Sequence, residues 1–180
     1  MIKYIFIHHS AVSYNLNPDQ WTQTNNYHRD VRGFPKSSLG FYVGYSYEIS
    51  KDGLIRQARN DGEETAAVKG YNFESISICL DGNFDIELPT PMQSIALKNL
   101  LKEKMKAYNV PIKNILPHRA FANKSCYGSK LPDDWGQKLV EPLDNLSAFE
   151  KLRALFRQYN ISTNTPIALS SKTRDNDYED

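Results

Sequence analysis

Residues 2–7 are almost continuously apolar and rich in β-prone side chains, the pattern of a buried central strand. Polar residues over 13–20 predict a loop, and Pro18-Asp19-Gln20-Trp21 predicts a short helix running to about Arg29. Residues 41–49, rich in Phe, Tyr, Val and Ile, predict a strand. The turn Lys51-Asp52-Gly53 and a second strand over 54–58 complete a hairpin. A polar loop over 60–72 leads into another strand, residues 75–80. Residues 92–108 read as the strongest helix. Ile95, Leu97, Leu100, Leu101, Met105 and Tyr108 give it an apolar side, and Lys98, Lys102 and Lys106 recur on a solvated one. Pro111 ends it. A short strand over 112–116 follows, and Pro117-His118 opens a long loop to about Pro132. Such a loop in a compact domain is usually functional. Residues 133–140 predict a short helix or turn.

Strands interleaved with helices indicate an α/β fold, a central mixed β-sheet flanked by helices. Residues 1–140 form its main domain. Residues 141–160 predict a further amphipathic helix, its side chains Leu146, Phe149, Leu152, Leu155 and Phe156 docked on that domain. Residues 161–180 are polar and read as a mobile tail.

Composition narrows the function. The chain has 180 residues, 40% of them hydrophobic, enough for one medium domain with a true core. A formal net charge of +1 creates no strong field, so neither nucleic acid nor an anionic membrane is expected as partner. No apolar run is long enough to span a bilayer. Two cysteines, Cys79 and Cys126, cannot build a disulfide scaffold. The start of the chain enters a strand pattern at once instead of a signal peptide, and with only two cysteines synthesis in a reducing cytoplasm is expected. The chain is also expected to be a monomer.

The candidate chemistry centres on four histidines, His8, His9, His28 and His118. His8 and His9 are strand neighbours and point to opposite faces, so the two do not easily serve one metal. One of them faces the sheet surface where a site could form. His118 follows another strand end, and Cys126 lies in the same loop. Two imidazoles and a thiolate from separate elements would make a tetrahedral zinc site with one open position, the catalytic arrangement. Taken singly, each has an ordinary reading as a hydrogen-bonded core histidine or a small buried thiol.

Words along the chain sharpen this. Ile5-Phe6-Ile7-His8-His9-Ser10-Ala11 resembles the opening strand of the type 2 N-acetylmuramoyl-L-alanine amidases, which include phage amidase lysozymes and peptidoglycan recognition proteins. Val43-Gly44-Tyr45-Ser46-Tyr47, followed by Lys51-Asp52-Gly53 and Arg59, is similar to the family hairpin. Lys69-Gly70-Tyr71-Asn72 with residues 75–80, and His118-Arg119 through Lys124-Ser125-Cys126-Tyr127-Gly128, match two later words in order. The resemblance covers about residues 1–140 and implies that the α/β sheet has the amidase/peptidoglycan-recognition-protein-like fold. It implies zinc held by His8, His118 and Cys126, with His9 a structural neighbour. It implies that Tyr45 faces the metal, that Lys124 is the catalytic lysine, and that His28 falls near a family histidine, read here as structural. The implied activity is hydrolysis of the amide between N-acetylmuramic acid and L-alanine in peptidoglycan, by a phage-type endolysin that acts on the cell wall after release. A non-hydrolysing peptidoglycan or muropeptide binder, or a partner-regulating protein on the same fold, is the alternative. The sequence also departs from the pattern: Ala66-Ala67-Val68-Lys69 stands where many members have a histidine, Tyr127 where a proline is usual, and Ser77 where glycine is common.

Overall fold

The computed structural model describes residues 1–16 and 19–141. From residue 142 on, the helix expected over 141–160 and the tail after it lie outside the described residues. Five strands form one sheet: β1 (Tyr4–His9), β2 (Tyr47–Ile49), β3 (Ile55–Gln57), β4 (Ser75–Leu80) and β5 (Ile115–Pro117). Their order is β3-β2-β4-β1-β5. β1 runs parallel to both neighbours, β4 is also parallel to β2, and only the β2–β3 hairpin is antiparallel. The mixed α/β sheet read from the sequence is the observed one. Among the described residues no helix is long and apolar enough to cross a membrane.

Among the described residues three α-helices complete the frame: α1 (Gln20–Asp30), α2 (Pro91–Tyr108) and α3 (Trp135–Val140). Asp19 caps α1 by accepting a hydrogen bond from the Thr22 amide at 3.1 Å. Thr90 and Gln93 close a capping box at the start of α2, with Pro91 in the first turn. Ile5, Ile7, Ile76, Ile78, Leu80, Leu97, Leu101 and Ile115 share one core on the side of the sheet covered by α2 and α3. Each such side chain, fully buried, contributes about 1.5–3 kcal/mol. Gly136 lets α3 press onto β1 and β5, because a Cβ there would collide with Ile7.

Three expectations are corrected. Residues 41–46 are irregular and only Tyr47–Ile49 is strand. Their backbone groups find partners outside a ladder: the Gly44 amide donates to His28, and its carbonyl accepts from Ala66. The strand expected at 112–116 begins late, because Ile112–Asn114 forms a 3₁₀ turn. Finally, α2 buries Lys104, which pairs with Asp61 at 2.9 Å and lies over the Tyr47 ring, while Ile95 and Met105 stay partly exposed. A long aliphatic stem with a paired ammonium occupies a position that periodicity assigns to an apolar residue.

Candidate functional site

Strand alternation divides β1 in two. Ile5, Ile7 and His9 face the helical core, and Tyr4, Phe6 and His8 face the other side. On that second side Tyr4 and Phe6 meet Tyr71 and Phe121 edge-on, with ring centroids 5.2–6.5 Å apart. His9 accepts a hydrogen bond at Nδ1 from the Phe84 amide, 3.0 Å away, so it is structural as expected.

The parallel register that pairs Ile7 with Pro117 places the next residues, His8 and His118, side by side. Their ring centroids are 4.7 Å apart. The loop after His118 returns to bring Cys126 Sγ within 3.7 Å of His8 Nδ1. One ligating atom from each of the three lies within 4.8 Å of the others. Tyr45 stands beside them, its ring 5.0 Å from His8 and 5.5 Å from His28. It belongs to the irregular segment before β2, not to a strand. Its hydroxyl meets the buried Cys79 thiol, and burial pushes its pKa well above the usual phenol value. Lys124 is exposed on the loop, and its ammonium is among the charges that bear on both His118 and His8.

His28 is not a fourth ligand candidate. Its Nδ1 accepts from the Gly44 amide at 3.1 Å and its ring packs on Phe34 and Tyr45, so it fixes the backbone just before Tyr45. Burial, helped by Arg32 and Arg59, lowers its pKa to about 4. The segment lacking the family histidine is held instead by Asn72, whose side-chain oxygen accepts from the Ala67 and Val68 amides.

The electrostatics of the trio keep its two imidazoles neutral. Burial first, then the neighbouring His118, His9 and Lys124, keeps His8 neutral, and burial with Lys124 does the same for His118. Neutral imidazoles keep a lone pair free to ligate. Burial raises the Cys126 thiol to about 11, and the His8 nitrogen that faces it is Nδ1. A tetrahedral zinc with bonds near 2.05 Å to nitrogen and 2.3 Å to sulfur would set those atoms about 3.6 Å apart. The observed 3.7 Å between Cys126 and His8 fits that spacing.

Sequence reasoning found no glutamate near the site. Yet His8, Cys79 and Glu48 lie at one level across β1, β4 and β2 and share a face. Glu48 is 1% exposed, beside Asp81 and Thr24, and neither of its carboxyl oxygens is well bonded. The signal was a lone acid in an otherwise apolar strand core. Burial, reinforced by Asp81, holds the Glu48 pKa well above the carboxylate range, and burial raises Asp81 to about 6. Raised carboxyl pKa values stabilise the fold at low pH, and that stability is lost as pH rises through the folded values. Glu48→Gln is therefore expected to be more stable than wild type at pH 8 by about 1–3 kcal/mol. The gain should shrink toward pH 4, where the wild-type pair is protonated. Thermal melts at the two pH values check this, and an equal difference at both would refute the account.

A family model for N-acetylmuramoyl-L-alanine amidase matches residues 1–129. The chain belongs to the N-acetylmuramoyl-L-alanine amidase family. Among relatives of this amidase family, peptidoglycan-recognition protein LB of Drosophila melanogaster is 34% identical over 133 residues. That match covers 71% of this chain but only 55% of the Drosophila protein. The endolysin of Escherichia phage T7 is 31% identical over 137 residues, covering 73% of this chain and 83% of the endolysin. Among solved structures, the amidase LysC from Clostridium intestinale aligns with a TM-score of 0.61 at 27% identity, over 73% of this chain and 79% of that one. Wild-type Drosophila PGRP-LB aligns with a TM-score of 0.61 at 29% identity, over 72% and 76%. The shared fold is thus the amidase and peptidoglycan-recognition fold.

Proposed function

We propose that this chain is a zinc-dependent N-acetylmuramoyl-L-alanine amidase of the phage endolysin type, with residues 1–140 as its catalytic domain. The observation that carries this reading is the meeting of His8, His118 and Cys126 at one end of β1, with Tyr45 against His8. Two nitrogens and one sulfur suit zinc and leave a coordination position open. Bound there, zinc would supply a Lewis acid for the scissile carbonyl and lower the pKa of water. The family assignment, the phage endolysins and the PGRP relatives support peptidoglycan as the substrate class. One of the PGRP-LB structures that align, at 27% identity, is a complex with tracheal cytotoxin.

The chain's own residues supply the rest. Tyr45 stays protonated across the neutral range, because burial raises its pKa, and so remains a hydrogen-bond donor for negative charge growing on the carbonyl oxygen. Lys124 adds a positive charge from the solvent side of His8 and His118. His28 and Cys79 orient Tyr45 from the backbone and from the hydroxyl. The cleaved bond is the amide joining the lactyl group of N-acetylmuramic acid to the L-alanine of the stem peptide. We place the protein as a monomer, made in the cytoplasm and acting on the wall after release.

Purified cell walls treated with the protein are expected to release stem peptides with an L-alanine amino terminus. A chelator should stop the release, and added zinc should restore it. Walls that stay intact while muropeptide binds would assign the protein to the non-hydrolysing branch of the fold.

A further inference from the structure

Cys126 sits in a segment with no regular secondary structure, so something other than a ladder must hold its backbone in place. Arg119, directly after His118, reaches across the whole segment. Its backbone amide donates to the Cys126 carbonyl at 2.6 Å. Its guanidinium donates from Nη1 to the Gly128 carbonyl and from Nη2 to the Leu131 carbonyl, both at 2.6 Å. Nη1 also reaches the Ser125 carbonyl at 3.5 Å, and Nε donates to Asp133. The guanidinium carbon lies over the Tyr127 ring, 5.1 Å from its centre. Ser125 and Tyr127 flank Cys126, so one side chain touches the residues on both sides of the thiol.

We propose that Arg119 is the positioning residue that sets the distance between the His118 and Cys126 donor atoms, which rests on the reading of this trio as a zinc centre. Three carbonyls at diverging angles need the five-donor guanidinium fork, and a lysine ammonium cannot serve all of them from one point. On the far side Asp85 accepts from the Ser125 hydroxyl at 2.8 Å and the Ser129 amide at 2.7 Å, so the segment is held between two struts. Only the Arg119 strut is covalently continuous with a second ligand candidate. Groups that orient metal ligands typically govern affinity by 10–100-fold.

The test uses the full chain in metal-free form, with Arg119→Ala and Arg119→Lys beside wild type. Zinc affinity is measured by competition with a chromogenic chelator. The rate at which a neutral aromatic disulfide modifies the thiol is measured separately. Cys79 is fully buried, so that rate reports Cys126. Arg119→Ala is expected to weaken zinc binding by about 10–100-fold and to speed thiol modification by about tenfold through local opening. Arg119→Lys should fall nearer to alanine than to wild type, and added ethylguanidinium should partly restore the alanine variant. A folded alanine variant with wild-type zinc affinity and thiol rate would overturn the proposal. So would a lysine variant indistinguishable from wild type, which also decides the matter if the alanine variant does not fold. If wild type takes up no zinc, the zinc-centre reading fails. The thiol rate then still shows whether Arg119 holds the segment.

Discussion

His8→Ala is expected to abolish zinc uptake and to lower wall hydrolysis by at least about 10³-fold, while its neighbour His9→Ala keeps the metal and loses stability. The two residues are adjacent, and the contrast comes from the strand. His8 faces His118 and Cys126, whereas His9 faces the core and accepts the Phe84 amide. Removing one of three protein ligands forfeits a Lewis acid worth several kcal/mol of transition-state stabilisation, and about 4 kcal/mol is already a thousandfold in rate. Removing the His9 acceptor strands a buried amide, at about 1–3 kcal/mol. Cys126→Ser should sit between them, folded but with weakened zinc binding, because a neutral hydroxyl is a poorer ligand than a thiolate. Elemental analysis, chelator titration and thermal melts separate these outcomes. Full zinc retention in His8→Ala would remove His8 from the ligand set.

Tyr45→Phe and Lys124→Ala are expected to do the opposite, keeping one zinc per chain and a near-wild-type melt while losing most turnover. Each is assigned to charge that appears only in the transition state, a role worth roughly 3–4 kcal/mol, or about 10²–10³ in kcat. Tyr45→Phe keeps the ring contacts with His8 and His28 and gives up only the hydroxyl contact with the buried Cys79 thiol, so its structural cost is about one hydrogen bond. Lys124 is exposed, so its removal disturbs no packing. Stem-peptide release at the wild-type rate from both variants would show that neither group stabilises the reacting carbonyl.

Much of this site was legible in the sequence because its parts sit at strand ends, and strand ends are marked by where apolar runs stop. The run before His8 and the Pro117 before His118 put both histidines at strand ends, where the structure has them, whereas the grouping of these two with Cys126 came from the family resemblance. Tyr45 was found by its motif but assigned to a strand, because aromatic and β-branched residues over 41–49 carry β propensity whether or not a ladder forms. Glu48 went unnoticed because its significance lies in the pairing of β2 with β4, which brings Asp81 beside it. No local pattern encodes that pairing. Arg119 was equally silent, since a guanidinium in a loop looks solvated until the carbonyls it serves are seen. The burial of Lys104 on the core side of α2 was silent for the same reason: its partner Asp61 is remote in sequence.

The central place of β1 has a consequence for the order in which the molecule is made. β1 is flanked by β4 and β5, which are both translated long after it. A nascent chain therefore exposes an apolar strand with two open edges until residues 75–80 and then 115–117 leave the ribosome. Non-local pairings of this kind are slow to form and invite association between chains in the meantime. The segment carrying Cys126 is made after all five strands, so the donor trio can close only once every strand of the sheet is available. A ribosome stalled before that segment would hold the strands without the trio, and without the α3 side chains that cover β1.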